Sequence, residues 1–134
     1  MTWYTTDVTD DIIYMDGYHA FNFIAGETIY AGQAVYVSDT KTVKVTTSSA
    51  NECDAIGIAS INSTSERRIG VFTKGNIVRC CVDSSYNPST LLYATDDGLL
   101  TSTKGNSKKV VGITLEQSTL GSSGVNYVCS VMLY

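Results

Sequence analysis

Apolar and polar positions alternate along most of this chain, in runs too short for helices. Residues 42–46 show the pattern most cleanly, with Val43 and Val45 on one face and Thr42, Lys44 and Thr46 on the other. Similar runs predict strands over residues 18–25, 28–30, 33–38, 55–60, 69–73, 76–83, 91–94, 99–102, 109–115 and 125–133. Val35 and Val37 share a face, as do Ile56 and Ile58, and Val78, Cys80 and Val82. In the last run Tyr127, Cys129, Val131 and Leu133 form one apolar face. Turn chemistry separates the runs: Gly26-Glu27, Ala31-Gly32, Lys74-Gly75 as a short hairpin turn, Asn87-Pro88, Thr95-Asp96-Asp97-Gly98 and Gly105-Asn106. Residues 117–123 are Ser/Gly-rich and read as a loop. No window of a dozen residues carries a 3.6-residue period. The expected fold is all-β, a small β-barrel or sandwich of short antiparallel strands.

Residues 1–17 break the pattern. Trp3, Tyr4, Ile12, Ile13 and Tyr14 stand as isolated anchors among Thr and Asp. Such a stretch reads as an extended arm, unable to bury those side chains alone. It either folds back on its own barrel or lies across a neighbouring subunit. The expected organisation is an acidic N-terminal arm over 1–17 and a single β-barrel domain over 18–134.

Within that domain two stretches resemble each other, residues 33–64 and 90–119. Tyr36 aligns with Tyr93 and Asp39 with Asp96, both 57 positions apart. Gly57 aligns with Gly112 and Ser63 with Ser118, both 55 apart. The shared unit is a strand carrying the Tyr, an Asp-opened turn, a returning strand, and a third strand reading apolar, Gly, Ile. A mid-strand glycine marks a bulge, a bend or the close approach of another backbone. Gly57 and Gly112 are therefore expected to be structural, and the duplication to form two halves of one pseudosymmetric barrel.

Charge adds a second asymmetry. Residues 1–40 carry Asp7, Asp10, Asp11, Asp16, Glu27 and Asp39 and no Lys or Arg. All nine basic residues lie beyond them. An acidic leading segment on a near-neutral body lacks the basic footprint of a nucleic-acid binder. It suits either docking on a basic protein surface or simple solvation. No apolar run reaches the roughly 20 residues of a membrane span, and the start lacks the pattern of a signal peptide. Folding in a cytoplasm is the expectation.

Candidate chemistry is sparse. Cys53, Cys80, Cys81 and Cys129 lack CxxC spacing, and the single histidine, His19, leaves little from which to build a zinc site. Buried free thiols are the expectation, with one disulfide left open. There is no nucleophile elbow, phosphate loop or dinucleotide motif. Asp10-Asp11 and Asp96-Asp97 are neighbours whose side chains diverge on a strand, so neither is an acid/base pair by default. No catalytic, cofactor-binding or metal residue is expected, and no enzymatic activity.

The run Ala25-Gly26-Glu27-Thr28-Ile29-Tyr30-Ala31-Gly32-Gln33-Ala34-Val35-Tyr36-Val37 resembles the opening of the capsid cement, or head decoration, proteins of tailed phages and related viruses. The family's later segments are matched by Ala55-Ile56-Gly57-Ile58-Ala59, Lys74-Gly75-Asn76-Ile77-Val78, Leu91-Leu92-Tyr93-Ala94 with Gly98-Leu99-Leu100-Thr101, and Val110-Val111-Gly112-Ile113-Thr114-Leu115. The resemblance spans residues 25–134 and rests on the order and spacing of the segments. It implies a small β-barrel on the outer face of an icosahedral capsid, often trimeric, stabilising the shell. The implied partners are the major capsid protein and copies of the chain itself as a homotrimer, with no nucleic acid, membrane or cofactor. Trp3, Tyr4, Ile12, Ile13 and Tyr14 are then the candidate capsid or subunit contacts, as aromatic and aliphatic anchors often are. The competing expectations are another virion surface domain, such as a head-fibre base or tail-associated module, and a carbohydrate-binding module using its tyrosines.

Overall fold

The computed structural model describes residues 20–134. It holds eleven short strands and a single 3-10 turn at Asp96–Gly98. β1 (Ala20–Ala25), β2 (Ala34–Asp39), β3 (Thr42–Val45), β4 (Gly57–Ala59) and β5 (Arg68–Phe72) close a barrel in the order β1-β3-β2-β4-β5. β6 (Ile77–Val82), β7 (Leu91–Ala94), β8 (Leu100–Thr101), β9 (Gly112–Thr114) and β11 (Tyr127–Leu133) form the order β11-β6-β8-β7-β9, and β11 pairs again with β9 to close a second barrel. β10 (Thr119–Leu120) lies along β11, inside the stretch expected to be a loop.

The all-β barrel expectation holds, but the duplication does more than supply two halves of one barrel. Each copy closes a ring of its own, with the same pairings in the same places. β1 runs parallel to β3 at Ala25↔Val43, as β6 does to β8 at Val82↔Leu100. Val35 pairs with Gly57 as Leu92 does with Gly112. Ile58 pairs with Phe72 as Ile113 does with Met132. The repeat therefore runs from β1 to β11, well beyond the stretches in which sequence reveals it. Even the backbone irregularities recur. Gly32 and Ser89 occupy equivalent positions with φ of 94° and 67°, and Lys41 and Gly98 with 49° and 69°.

Two local expectations are corrected. Lys74-Gly75 is not a hairpin turn, because β5 pairs with β1 and β4 while β6 pairs with β11 and β8. The segment is the link between barrels. The strands are also not all antiparallel: β1–β3 and β6–β8 are parallel, which ring closure in this order requires.

Inward-facing residues fill each ring. Ala25, Ile29, Val35, Val43, Ala59, Ile69 and Val71 form the first core. Val78, Cys80, Val82, Leu92, Leu100, Val111, Cys129, Val131 and Leu133 form the second. Ala34, Ala55, Ile58 and Phe72 come from the first barrel yet belong to the second cluster. Ala34, Ile58 and Phe72 lie on the outer faces of β2, β4 and β5, Ala55 lies just before β4, and all four pack into the second barrel's cluster. A satellite cluster of Cys81, Leu99 and Val128 packs on the second barrel's opposite strand faces.

Gly57 and Gly112 sit where β4 and β9 meet the closing strand. A Cβ on Gly57 would lie 2.0 Å from the Phe72 carbonyl oxygen, and one on Gly112 would lie 2.5 Å from that of Met132. The close approach of another backbone is the reason for glycine at both sites, since neither has the left-handed φ. Gly57→Ala and Gly112→Ala should each cost on the order of 3 kcal/mol by overpacking against a backbone that cannot move aside. Gly75→Ala meets open space but a φ of +92°, and should cost only about 1 kcal/mol. Urea denaturation of the three variants checks the ranking.

Candidate interaction surfaces

The candidate contacts Trp3, Tyr4, Ile12, Ile13 and Tyr14, along with His19, lie outside the described residues. What the structure offers is the seam between barrels, two surface cavities and a set of exposed apolar side chains.

The seam is built from polar groups around the shared apolar wall. Buried Thr46, just past β3, donates its hydroxyl to the Thr95 carbonyl at 2.8 Å, and its own carbonyl accepts the Gly98 amide. Buried Gln33 donates its side-chain amide to the Asp97 carbonyl at 3.0 Å. Asp96 accepts the Ser48 amide at 2.7 Å, and Asp54 accepts the Lys108 amide at 2.8 Å. Gly98 has no room for a side chain, because a Cβ there would lie 2.7 Å from the Gln33 Cβ. The Asp96-Asp97-Gly98 sequence thus serves as a turn whose carboxylate and carbonyls grip the first barrel. Sequence marks it as a turn but cannot say what it holds.

A cavity of about 410 Å³ opens along this seam, lined by Ser48, Cys53, Asp83, Thr95, Lys104 and Ser107 among others. It contains no aromatic ring. Its charged groups, Asp83 and Lys104, come from loops on the second barrel, and Asp83 is engaged by the Tyr86 hydroxyl, which in turn accepts the Ser102 amide. A second groove of about 460 Å³ on the first barrel is lined by Thr28, Ile29, Tyr30, Asn62, Ser63, Thr64, Arg67 and Arg68. Its polar side chains largely serve the loop itself: Asn62 accepts the Ala31 amide and Ser63 donates to the Arg68 carbonyl. One tyrosine, Tyr30, lines it, so it lacks the paired aromatic platform of a sugar site.

The titratable groups follow the same structural pattern. Among the described residues no group of three His, Cys, Asp or Glu side chains is arranged to hold a metal ion. All four cysteines are buried, and none is joined in a disulfide. Cys80 and Cys129 are cross-strand neighbours on β6 and β11. Burial pushes the Cys80 thiol well above the ordinary thiol range, with Cys81 and Cys129 adding to the effect. Burial also raises Cys129. Raised thiol pKa values oppose thiolate chemistry. Arg79 and Glu116 pair at 3.6 Å on the surface, where such pairs contribute little. No described helix is long and apolar enough to cross a membrane.

No protein-family model and no curated protein matches the sequence. Among solved structures, the chain is similar to the head fiber gp8.5 N base of bacteriophage phi29. The TM-score is 0.57 and the identity 14%, over 84% of this chain and 92% of that one. At that identity the likeness establishes a shared fold.

Two outcomes follow from the seam and the thiols. Thr46→Val should cost about 1–3 kcal/mol, because the buried Thr95 carbonyl loses its hydroxyl donor; calorimetric melting reads the loss. The native Cys80 thiol keeps its proton at pH values where the unfolded thiol releases it. The unfolded state then binds fewer protons, so stability should fall as pH rises above the ordinary thiol range. Urea midpoints compared between pH 7 and pH 10 check the sign, with Cys80→Ala flattening the alkaline slope.

Proposed function

We propose that this chain is a non-enzymatic structural protein of a tailed-virus particle. In this reading it binds the outer face of the assembled icosahedral capsid through the major capsid protein, associates with itself as a homotrimer, and stabilises the shell. The observation that carries it is the barrel fold shared with a phage head fiber base over most of both chains. The cement-like segments support it, since they fall on equivalent strands of the two barrels: Gln33-Ala34-Val35-Tyr36-Val37 on and just before β2, Leu91-Leu92-Tyr93-Ala94 on β7, and the Gly-Ile pairs on β4 and β9.

The physics of stabilisation is mass action. A protein that binds the assembled lattice and not its dissociated subunits favours the lattice by its binding free energy, summed over many copies. Among the described residues no group of three His, Cys, Asp or Glu side chains is arranged to hold a metal ion, and burial holds the Cys80 and Cys129 thiols in their protonated form. The likeness to a head fiber base favours one close variant, in which the barrels are the attachment base for a projecting element.

Cryo-electron microscopy of particles made with and without the protein tests the reading. Density over the outer shell and a lowered dissociation temperature when the protein is missing are expected. A particle of unchanged stability with no such density would remove the proposal. Coverage of all equivalent lattice sites indicates a cement role, and a projecting stalk at each site indicates a fibre base. Deleting residues 1–16 should abolish co-sedimentation with capsids while the barrels keep their melting temperature. Full binding by that truncation would exclude the arm as the contact.

A further inference from the structure

The groove on the first barrel carries positive charge with nothing to answer it. Arg67 and Arg68 line it, and no carboxylate does. Of the chain's three arginines, Arg79 pairs with Glu116. Arg67 and Arg68 make no ion pair and no side-chain hydrogen bond among the described residues. Both are exposed. Apolar side chains stand beside them. Tyr30 lines the groove and is 37% exposed, and Ile61, next to the lining residue Asn62, is 55% exposed. Ile24 faces Arg68 in the β1–β5 register, on the same outer face, and is 40% exposed.

The segment before β1 carries the complement. Residues 1–19 hold Asp7, Asp10, Asp11 and Asp16 and no Lys or Arg, and they lie outside the described residues. The run Asp10-Asp11-Ile12-Ile13-Tyr14 sets two carboxylates beside three apolar side chains. The groove sets two guanidinium groups beside Tyr30, Ile24 and Ile61. A guanidinium takes a carboxylate through two parallel hydrogen bonds, which fixes orientation as well as charge.

We propose that residues 10–14 of one copy dock in the Arg67–Arg68 groove of a second copy. The placement of β1 favours a second copy over the same chain. β1 begins at Ala20, opposite Phe72, while Arg68 lies opposite Ile24, four residues or about 13 Å further on. The acidic segment therefore joins the β1–β5 pair at the end remote from the groove. Its nineteen residues can span up to about 60 Å, enough to reach a neighbour. Each copy carries one arm and one groove, so the contact is head-to-tail, and three copies can close a ring. The contact rests on the self-association proposed above and not on any binding to a capsid. A capsid then meets the arms through the assembly they hold together, with the avidity of several copies.

Salt separates this contact from a purely apolar one. Between about 0.1 M and 1 M ionic strength the screening length falls from about 10 Å to about 3 Å. Association through Arg67 and Arg68 should weaken over that range. Association through exposed apolar side chains such as Leu91 and Met132 would hold or strengthen.

Charge reversal in the full chain tests the pairing. A groove variant, Arg67→Glu with Arg68→Glu, and an arm variant, Asp10→Arg with Asp11→Arg, each set like charges against one another. Each should associate about tenfold more weakly than the unaltered protein, or weaker still, by sedimentation velocity. The groove variant should keep a cooperative melting transition, because both arginines are exposed. Mixing the two variants, or placing both reversals in one chain, should restore association. If a reversal loses its melting transition, Arg67→Gln with Arg68→Gln, or Asp10→Asn with Asp11→Asn, replaces it, and association unchanged by either would count against the contact. A monomeric unaltered protein, as expected if each arm lies on its own barrel, would overturn the self-association and this contact with it. An assembly that persists in both variants, or that neither the mixture nor the double reversal restores, would overturn this contact while leaving self-association standing.

Discussion

The wall of Ala34, Ala55, Ile58 and Phe72 packs into the end of the second barrel, and the rest of the architecture depends on that contact. A ring of five strands, each two to seven residues long, encloses a core too small to be comfortably stable alone. Joining two rings through one shared apolar cluster gives the described residues a core of ordinary size. It also explains why Cys80 and Cys129, cross-strand neighbours in that cluster, behave as small apolar side chains.

Around that contact the chain spends its polar groups on joining. Thr46, Gln33, Asp96 and Asp54 all reach across the seam to backbone groups of the other barrel or its loops. The Thr46 hydroxyl satisfies the buried Thr95 carbonyl, while the Ser48 and Lys108 amides are held at the exposed rim of the seam. Closure within each ring is bought with glycine, at Gly57 and Gly112, where β4 and β9 pass against the carbonyls of Phe72 and Met132. The same solution at equivalent sites shows one structural unit used twice.

The seam cavity carries Asp83 and Lys104, and the groove on the first barrel carries Arg67 and Arg68. Leu91, Ile113 and Met132 repeat on the second barrel the row Ala34, Ile58 and Phe72 that is buried at the seam. The fold is shared with a phage head fiber base over most of both chains.

Alternation, turn residues and the spacing of Tyr36 and Tyr93 or Gly57 and Gly112 made the strand content and the duplication legible from sequence, because strand period and turn chemistry are local properties. The candidate contacts at Trp3, Tyr4, Ile12, Ile13 and Tyr14 were read from their isolation among Thr and Asp, and they fall outside the described residues. Closure was not legible. Whether Lys74-Gly75 folds β6 back onto β5 or releases it to a second ring depends on competition among distant strands, here settled by the pairing of β6 with β11. Nor could sequence separate Ala34, Ile58 and Phe72 from Leu91, Ile113 and Met132: both rows are apolar on alternate positions, and only the packing of one barrel against the other buries the first and leaves the second facing outward.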